Sequence, residues 1–383
     1  MLLSLYICCS ILLIFAYIFI MAQYLIAWQE LPEWEIPNDF RPTTKVSILI
    51  PARNEAENII ACLNTIAQQS YPSHLWEAIV LDDFSTDTTA DLVKQFPLDN
   101  IHLIQLANFV QAGATQSYKK KAIEIGIEQA KGTLIVTTDA DCLVQEHWLR
   151  LIVSLYESKD YQFIAAPVNF YEEQNALERF QSLDFMGMMG IAGGGIQRTF
   201  MRMCNGANLA YTKSAFQVVN GFDGINEMAS GDDMLLMQKI AAQYPDAIAY
   251  LKHPKATTFT KAKPTLATFY QQRLRWATKS ASYPEKLVTV ILALVFFFCC
   301  NILLSALLSL VWNAQLIYIL LLSLLVKAVM DYLFLSKMSQ FFHRQDLLRS
   351  FLPSLFMHLL YIVFVGFAAN LVKEYEWKGR RVK

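Results

Sequence analysis

Apolar positions fall into three patterns along this chain. Leu2 to Ala27 carries no charge and is long enough to cross a bilayer as a helix. Leu287–Trp312, Gln315–Leu335 and Phe351–Val372 repeat that pattern, interrupted only by Lys327, Asp331, Pro353 and His358. Between them, short apolar runs alternate with stretches at helical spacing. Lys45–Pro51, Trp76–Leu81, Ile101–Leu106 and Thr133–Val136 read as strands, and Glu55–Gln69, Thr89–Phe96 and Lys119–Gln129 as helices. That alternation predicts an α/β domain with a mostly parallel, doubly wound sheet. Ligands of such sheets bind beyond the carboxyl ends of the strands. The third pattern is Ala176 to Met203, rich in Phe, Met and Gly, with Glu178, Arg179, Asp184 and Arg198 interspersed. It reads equally as a core helix and as a helix half-inserted at a membrane surface, broken at Gly193-Gly194-Gly195.

Composition sharpens the membrane reading. Hydrophobic residues make up 55% of the 383 positions and charged residues only 17%, and the apolar excess sits in the four long segments. The first of these has no basic residues before it, exceeds the length of a signal-peptide core and lacks a small-x-small site, so a retained anchor is expected. Seven cysteines show no C-x-x-C spacing, and four of them (Cys8, Cys9, Cys299 and Cys300) lie in apolar segments. Neither a zinc site nor a disulfide framework is indicated, which places the polar middle in a reducing cytoplasm. A net charge of −1 argues against nucleic acid as a partner. The expected organisation is an anchor over 1–28, a catalytic domain with interfacial helices over 43–284, membrane segments over 286–373 and a basic tail over 374–383. Three full crossings after a cytoplasmic domain would put that tail outside, against the positive-inside rule. The basic loop Lys337–Arg349 asks for the cytoplasmic side as well. Both are satisfied if one C-terminal segment is re-entrant or interfacial.

The candidate chemistry lies where strands end. Arg53-Asn54-Glu55, Asp82-Asp83 and the pair Asp139 and Asp141 each follow a predicted strand and should converge. Carboxylates one residue apart at a strand end need a partner if buried, and a divalent cation serves, itself a natural seat for a diphosphate. An Asp-x-Asp alone is equally at home in a surface turn. No Gly-x-Gly-x-x-Gly follows the first strand, which argues against a dinucleotide oxidoreductase.

Taken in order, these motifs resemble the membrane-bound family 2 glycosyltransferases, whose catalytic domain has the GT-A fold. The resemblance runs from Lys45 to Trp276. Val46 to Glu55 is similar to the family's opening strand and turn, Asp82 to Asp87 to its second-strand motif, and Lys131 to Asp141 to its central signature. Asn205 to Ala210 and Gly221-Phe222-Asp223 look like acceptor-side segments. Gly231-Asp232-Asp233 matches the family's Glu-Asp pair, with Asp232 replacing Glu, and Gln272-Arg273-Leu274-Arg275-Trp276 fits Gln-x-x-Arg-Trp.

The resemblance implies that Pro51, Ala52, Arg53, Asn54, Glu55, Asp83 and Lys119 contact a nucleotide-sugar donor. It further implies that Asp139 and Asp141 hold Mg2+ or Mn2+, that Arg273, Arg275 and Trp276 engage the donor, and that Asp233, beside Asp232, is the base. Plainer readings stand next to these. Asp232 and Asp233 could cap the helix Met234–Gln243, and Arg275-Trp276 could be a snorkelling Arg with an interfacial Trp. The expected protein is an integral protein of the inner cell membrane with its catalytic domain in the cytoplasm. It would be an inverting, non-processive glycosyltransferase acting on a lipid-linked or glycan acceptor near membrane lipids. A processive polysaccharide synthase needs a channel that at most four spans wall poorly. A catalytically silent scaffold has no need of the carboxylates and Arg275.

Overall fold

The computed structural model describes residues 1–111, 117–226, 231–278, 285–371, 375–377 and 380–382. Lys373, which ends the expected membrane segments, and Lys378 and Lys383 of the expected basic tail lie outside the described residues. The chain divides into two compact units.

The first unit is built from Leu31–Glu172 and Arg202–Lys261, joined by the short ladder Tyr375–Trp377 with Arg380–Val382. Its strands are β1 (Val46–Ala52), β2 (Trp76–Asp82), β3 (Ile101–Gln105), β4 (Leu134–Thr137), β5 (Phe163–Ala165), β6 (Val168–Phe170), β7 (Leu209–Thr212), β8 (Ile248–Tyr250) and β9 (Thr258–Thr260). Seven form one sheet in the order β3-β2-β1-β4-β7-β5-β8, and β6 pairs with β9 apart from it. The β3-β2-β1-β4 half is parallel throughout, as the strand–helix alternation predicts. Beyond it, β7 runs antiparallel to both β4 and β5.

Burial explains the legible half. β1, β2 and β4 are covered on both faces, which is why they read as continuous apolar runs rather than alternating ones. Ile48, Ile50, Val80 and Val136 pack with Ile59, Cys62, Leu63 and Ile66 of the helix Ile59–Ala67 and with Trp148, Leu149 and Ile152 of the helix Trp148–Ser158. The starts of the central strands are locked through Glu77, whose Oε1 accepts from Ser47 Oγ and from the Lys131 amide, both at 2.7 Å. Gly132 enters β4 so close to β1 that a Cβ there would overlap the Ser47 backbone nitrogen.

The second unit comprises Met1–Glu30, Glu173–Met201 and Ala262–Lys373. Leu2–Glu30, Lys286–Val311, Leu316–Phe341 and Gln345–Ala369 are each long and apolar enough to cross a membrane. The helices Ala176–Gln197 and Leu266–Ala277 belong with them, although the sequence placed both inside the 43–284 domain. Ala176–Gln197 runs unbroken through Gly193-Gly194-Gly195, contrary to the expected break. Its glycines give close helix packing instead of a kink. A Cβ on Gly190 would overlap Met338, and one on Gly194 would sit 3.2 Å from the Tyr24 carbonyl and 3.3 Å from Ala27 Cβ. Polar groups inside the apolar helices find one another. Lys327 Nζ lies 2.7 Å from Asp331 Oδ2, Tyr17 donates to Asp331 Oδ1, and Ser10 donates to Asn301 Oδ1 at 2.8 Å.

Candidate functional site

The site grows from the carboxyl ends of β1, β2 and β4. After β1 the chain turns sharply, with Asn54 in the left-handed region at φ 53°, a conformation Asn tolerates better than most residues. The turn is zippered to the segment after β2. The Asn54 amide donates to Ser85 Oγ at 3.0 Å, the Thr86 amide to Asn54 Oδ1 at 2.8 Å and the Ala56 amide to Asp87 Oδ2 at 3.1 Å. Arg53 clamps the same segment, donating to the carbonyls of Asp83 and Phe84 at 2.7 and 3.0 Å. Glu55 accepts from Asn58 Nδ2 at 2.8 Å, while its own amide donates to Thr89 Oγ1. Pro51, Ala52, Arg53, Asn54, Glu55 and the buried Asp83 therefore form one contiguous wall.

β4 delivers Asp139 and Asp141. Oxygens of the two carboxylates and Cys142 Sγ all fall within 4.8 Å of one another. The carboxylates suit a hard cation such as Mg2+ or Mn2+. The thiol does not: burial, then Asp141 and Asp139, push Cys142 well above the ordinary cysteine range, so it stays protonated. Cys62 points its thiol at the Asp139 carbonyl, 3.8 Å away. Its place on an apolar helical face gave no hint of this.

Lys119 gathers the remaining acids. Its Nζ is 2.9 Å from Asp139 Oδ1 and 3.2 Å from Asp232 Oδ2. Burial works against the ammonium, but Asp139, Asp232 and Asp233 outweigh it and hold Lys119 above the usual lysine range. Asp233 caps the helix Met234–Gln243 through Oδ1, which accepts from the Met234 amide at 2.7 Å. Its Oδ2 accepts from the Gly206 amide at 3.2 Å, and the Gly206 carbonyl accepts from Thr137 Oγ1 at 3.0 Å. The capping reading of this pair is thus correct for Asp233, and it leaves the second oxygen turned toward Gly206. Gly231, at φ 83°, makes the turn that launches the pair, a conformation glycine adopts without strain.

Asn208, expected on the acceptor side, is a structural peg. Its Oδ1 accepts from Trp148 Nε1 at 2.8 Å, and its Nδ2 donates to the carbonyls of Pro167 and Ala256. Arg273, Arg275 and Trp276 ride on the helix Leu266–Ala277 in the second unit, opened by a capping box between Thr265 and Thr268. Arg273, read from the sequence as a donor contact, is committed to Asp184 at 2.9 Å. It lies one helical turn from both Phe269 and Trp276; Phe269 and Arg273 are buried, whereas Arg275 and Trp276 are partly exposed.

Comparison with known proteins bears on the family and the fold. The family described as glycosyl transferase family 2 matches residues 47–219, and glycosyl transferase family group 2 matches residues 134–369. The glycosyltransferase AglE of Haloferax volcanii is 34% identical over 145 residues, covering 37% of this chain and 46% of its own. YdaM of Bacillus subtilis, described as a probable glycosyltransferase, is 26% identical over 261 residues, covering 67% of this chain and 59% of its own. The chain thus spans about half the length of these curated relatives. Among solved structures, the mannosyltransferase PcManGT of Pyrobaculum calidifontis, in complex with GDP-Man and Mn2+, aligns over 95% of this chain and 97% of its own, with TM-score 0.55 and 15% identity. That likeness speaks to fold alone, and the fold is GT-A. Carboxylates gathered at the ends of a mostly parallel sheet, apolar helices and family matches that together run from residue 47 to residue 369 place the chain in the family 2 glycosyltransferases.

Proposed function

We propose that the protein is an inverting glycosyltransferase that moves a sugar from a nucleoside-diphosphate donor to a lipid-linked acceptor at the cytoplasmic face of a cell membrane. The observation that carries this reading is the convergence of Asp139, Asp232 and Asp233 on Lys119, with Asp141 beside them. The wall from Pro51 to Glu55 with Asp83 takes the nucleotide. Asp139 and Asp141 would hold Mg2+ or Mn2+, which when bound neutralises the charge of the leaving diphosphate. Lys119 orients Asp139 and balances the charge of the neighbouring acids. Arg275 pairs with a phosphate and Trp276 offers a ring face to the substrate.

Asp233 accepts the proton of the acceptor hydroxyl as that oxygen bonds to the anomeric carbon and the bond from that carbon to the diphosphate oxygen breaks. A single displacement of this kind inverts the anomeric centre. The lipid-linked acceptor is supported by the chain itself. Trp276 lies about ten residues before the apolar helix that starts at Lys286, so the substrate-handling segment is tethered at the bilayer.

Purified protein in detergent, given a panel of nucleotide-sugars and membrane lipid extract, should release nucleoside diphosphate and yield a lipid product heavier by one or a few sugars. Chelator should abolish turnover and added Mn2+ or Mg2+ restore it. Asp141→Asn should remain folded but inactive. Full activity in chelator would overturn the metal assignment, and no turnover with any donor would overturn the reading as a whole.

A further inference from the structure

Asp184 has no part in the chemistry above, yet it is an ionisable side chain only 6% exposed. It lies within the helix Ala176–Gln197, flanked by the buried Leu183 and Phe185. Its Oδ2 is 2.9 Å from Arg273 Nη2, and its Oδ1 is 3.8 Å from His358 Nε2. The Arg273 guanidinium, itself 2% exposed, is ringed by aromatic faces. It sits 4.4 Å from the Trp276 centroid, 5.1 Å from Phe269 and 5.9 Å from Tyr361. Phe185, next to Asp184, packs on Trp276 at 5.9 Å. Trp276 is therefore gripped by two consecutive residues of one helix, by Phe185 directly and by Asp184 through Arg273.

Stability alone does not account for this pair. Buried ion pairs seldom stabilise more than well-packed apolar residues of the same volume, and here all three guanidinium nitrogens of Arg273 and Oδ2 of Asp184 lack a well-aligned hydrogen-bond partner among the described residues. What a charge pair supplies is a fixed neighbour. Apolar side chains tolerate a small rotation of one helix against another, whereas a rotation that parts this buried guanidinium from the carboxylate 2.9 Å away leaves both charges unpaired. Arg275 and Trp276 follow Arg273 by two and three residues, so fixing Arg273 fixes the direction in which both point.

We propose that Asp184 is a positioning residue: through Arg273 it sets the orientation of Trp276 and Arg275 for the substrate. The proposal rests on the reading that these two residues handle substrate. The full chain is tested as Asp184→Asn, Asp184→Glu and Arg273→Lys, the last keeping the charge but losing the planar group that stacks on Trp276. Steady-state rates are measured with the donor found above. Acrylamide quenching of the Trp276 emission, isolated by subtracting Trp276→Phe in each background, is measured alongside.

Asp184→Asn and Arg273→Lys should each lower kcat, by up to about 10²-fold, the loss expected from small misplacement of a reacting group. Donor KM should change little, Asp184→Glu should recover most of the rate, and Trp276 should become more open to quencher. Unchanged kcat and quenching, or a rate that falls only in step with the folded fraction on size exclusion, would overturn the proposal. If the wild type turns over no nucleotide-sugar, the functional reading fails separately, and the quenching comparison still decides whether Asp184 positions Trp276. Should Asp184→Asn not fold, Arg273→Lys carries the same two readouts.

Discussion

One oxygen of Asp233 holds the Met234 amide and the other holds the Gly206 amide, so the cap and the proposed role as base make different demands on the same carboxylate. Asn caps helices as well as Asp does. Asp233→Asn should therefore keep the Met234 cap but turn an NH2 toward the Gly206 amide, lowering the melting temperature slightly while lowering kcat about 10²–10⁴-fold, the usual loss for a general base. Asp232→Asn removes a counter-charge of Lys119 and should be milder; the reverse ranking, in the same kinetic assay, would exchange the roles of the two acids. Gly206→Ala separates folding from function in another way. Its Cβ would stand 3.5 Å from Asp232 Oδ2 and from Lys119 Nζ, and 3.6 Å from Asp233 Cβ, ordinary contact distances. The variant should melt like the wild type yet lose most of its turnover, because the added methyl fills the space among these groups. Both quantities can be read from one preparation.

Among the elements, what the sequence discloses follows burial and length. β1, β2 and β4 are apolar on both faces and announce themselves, whereas β5, β6, β8 and β9 have three residues each, too few to display a period. Their pairing is decided by distant partners rather than by local pattern. The glycine run in Ala176–Gln197 misleads for a related reason, since local propensity favours a break and packing against Tyr24 and Ala27 overrides it. In the site, the individual acids were legible as motifs. The convergence of Lys119 on Asp139 and Asp232, and the diversion of Arg273 to Asp184, were not, because both depend on which face of a helix turns inward. One element-scale prediction follows from the tight entry into β4. Gly132→Ala would drive a methyl into the Ser47 backbone, and overpacking of this kind costs about 1–3 kcal/mol or more. A lower midpoint in thermal melting should report it, with the specific activity of the remaining folded protein unchanged.

For the whole molecule, the described helices long enough to cross a membrane are four, a small number from which to wall a polymer channel. Products from the purified protein should accordingly carry one or a few sugars on a lipid. Chromatography of labelled product decides this, and a high-molecular-weight ladder would favour a processive synthase. The polar groups buried among the apolar helices bear on assembly. Lys327 and Asp331, one turn apart on the same helix, neutralise each other, and Tyr17 of the first apolar helix completes the set. Tyr17→Phe should lower the melting temperature in detergent, because it leaves Asp331 Oδ1 without that donor.

The order in which the two units use the chain has a practical consequence. Glu173–Met201 lies in sequence between two stretches of the sheet-bearing unit, yet it packs with the apolar helices. A protein trimmed at both ends to residues 31–261 would therefore not be water-soluble. The inward face of Ala176–Gln197, with Phe180, Leu183, Phe185, Met186 and Met189, would be stripped of its neighbours and left to aggregate. To free the sheet-bearing unit from detergent, residues 173–201 must also be cut out and the flanking ends rejoined.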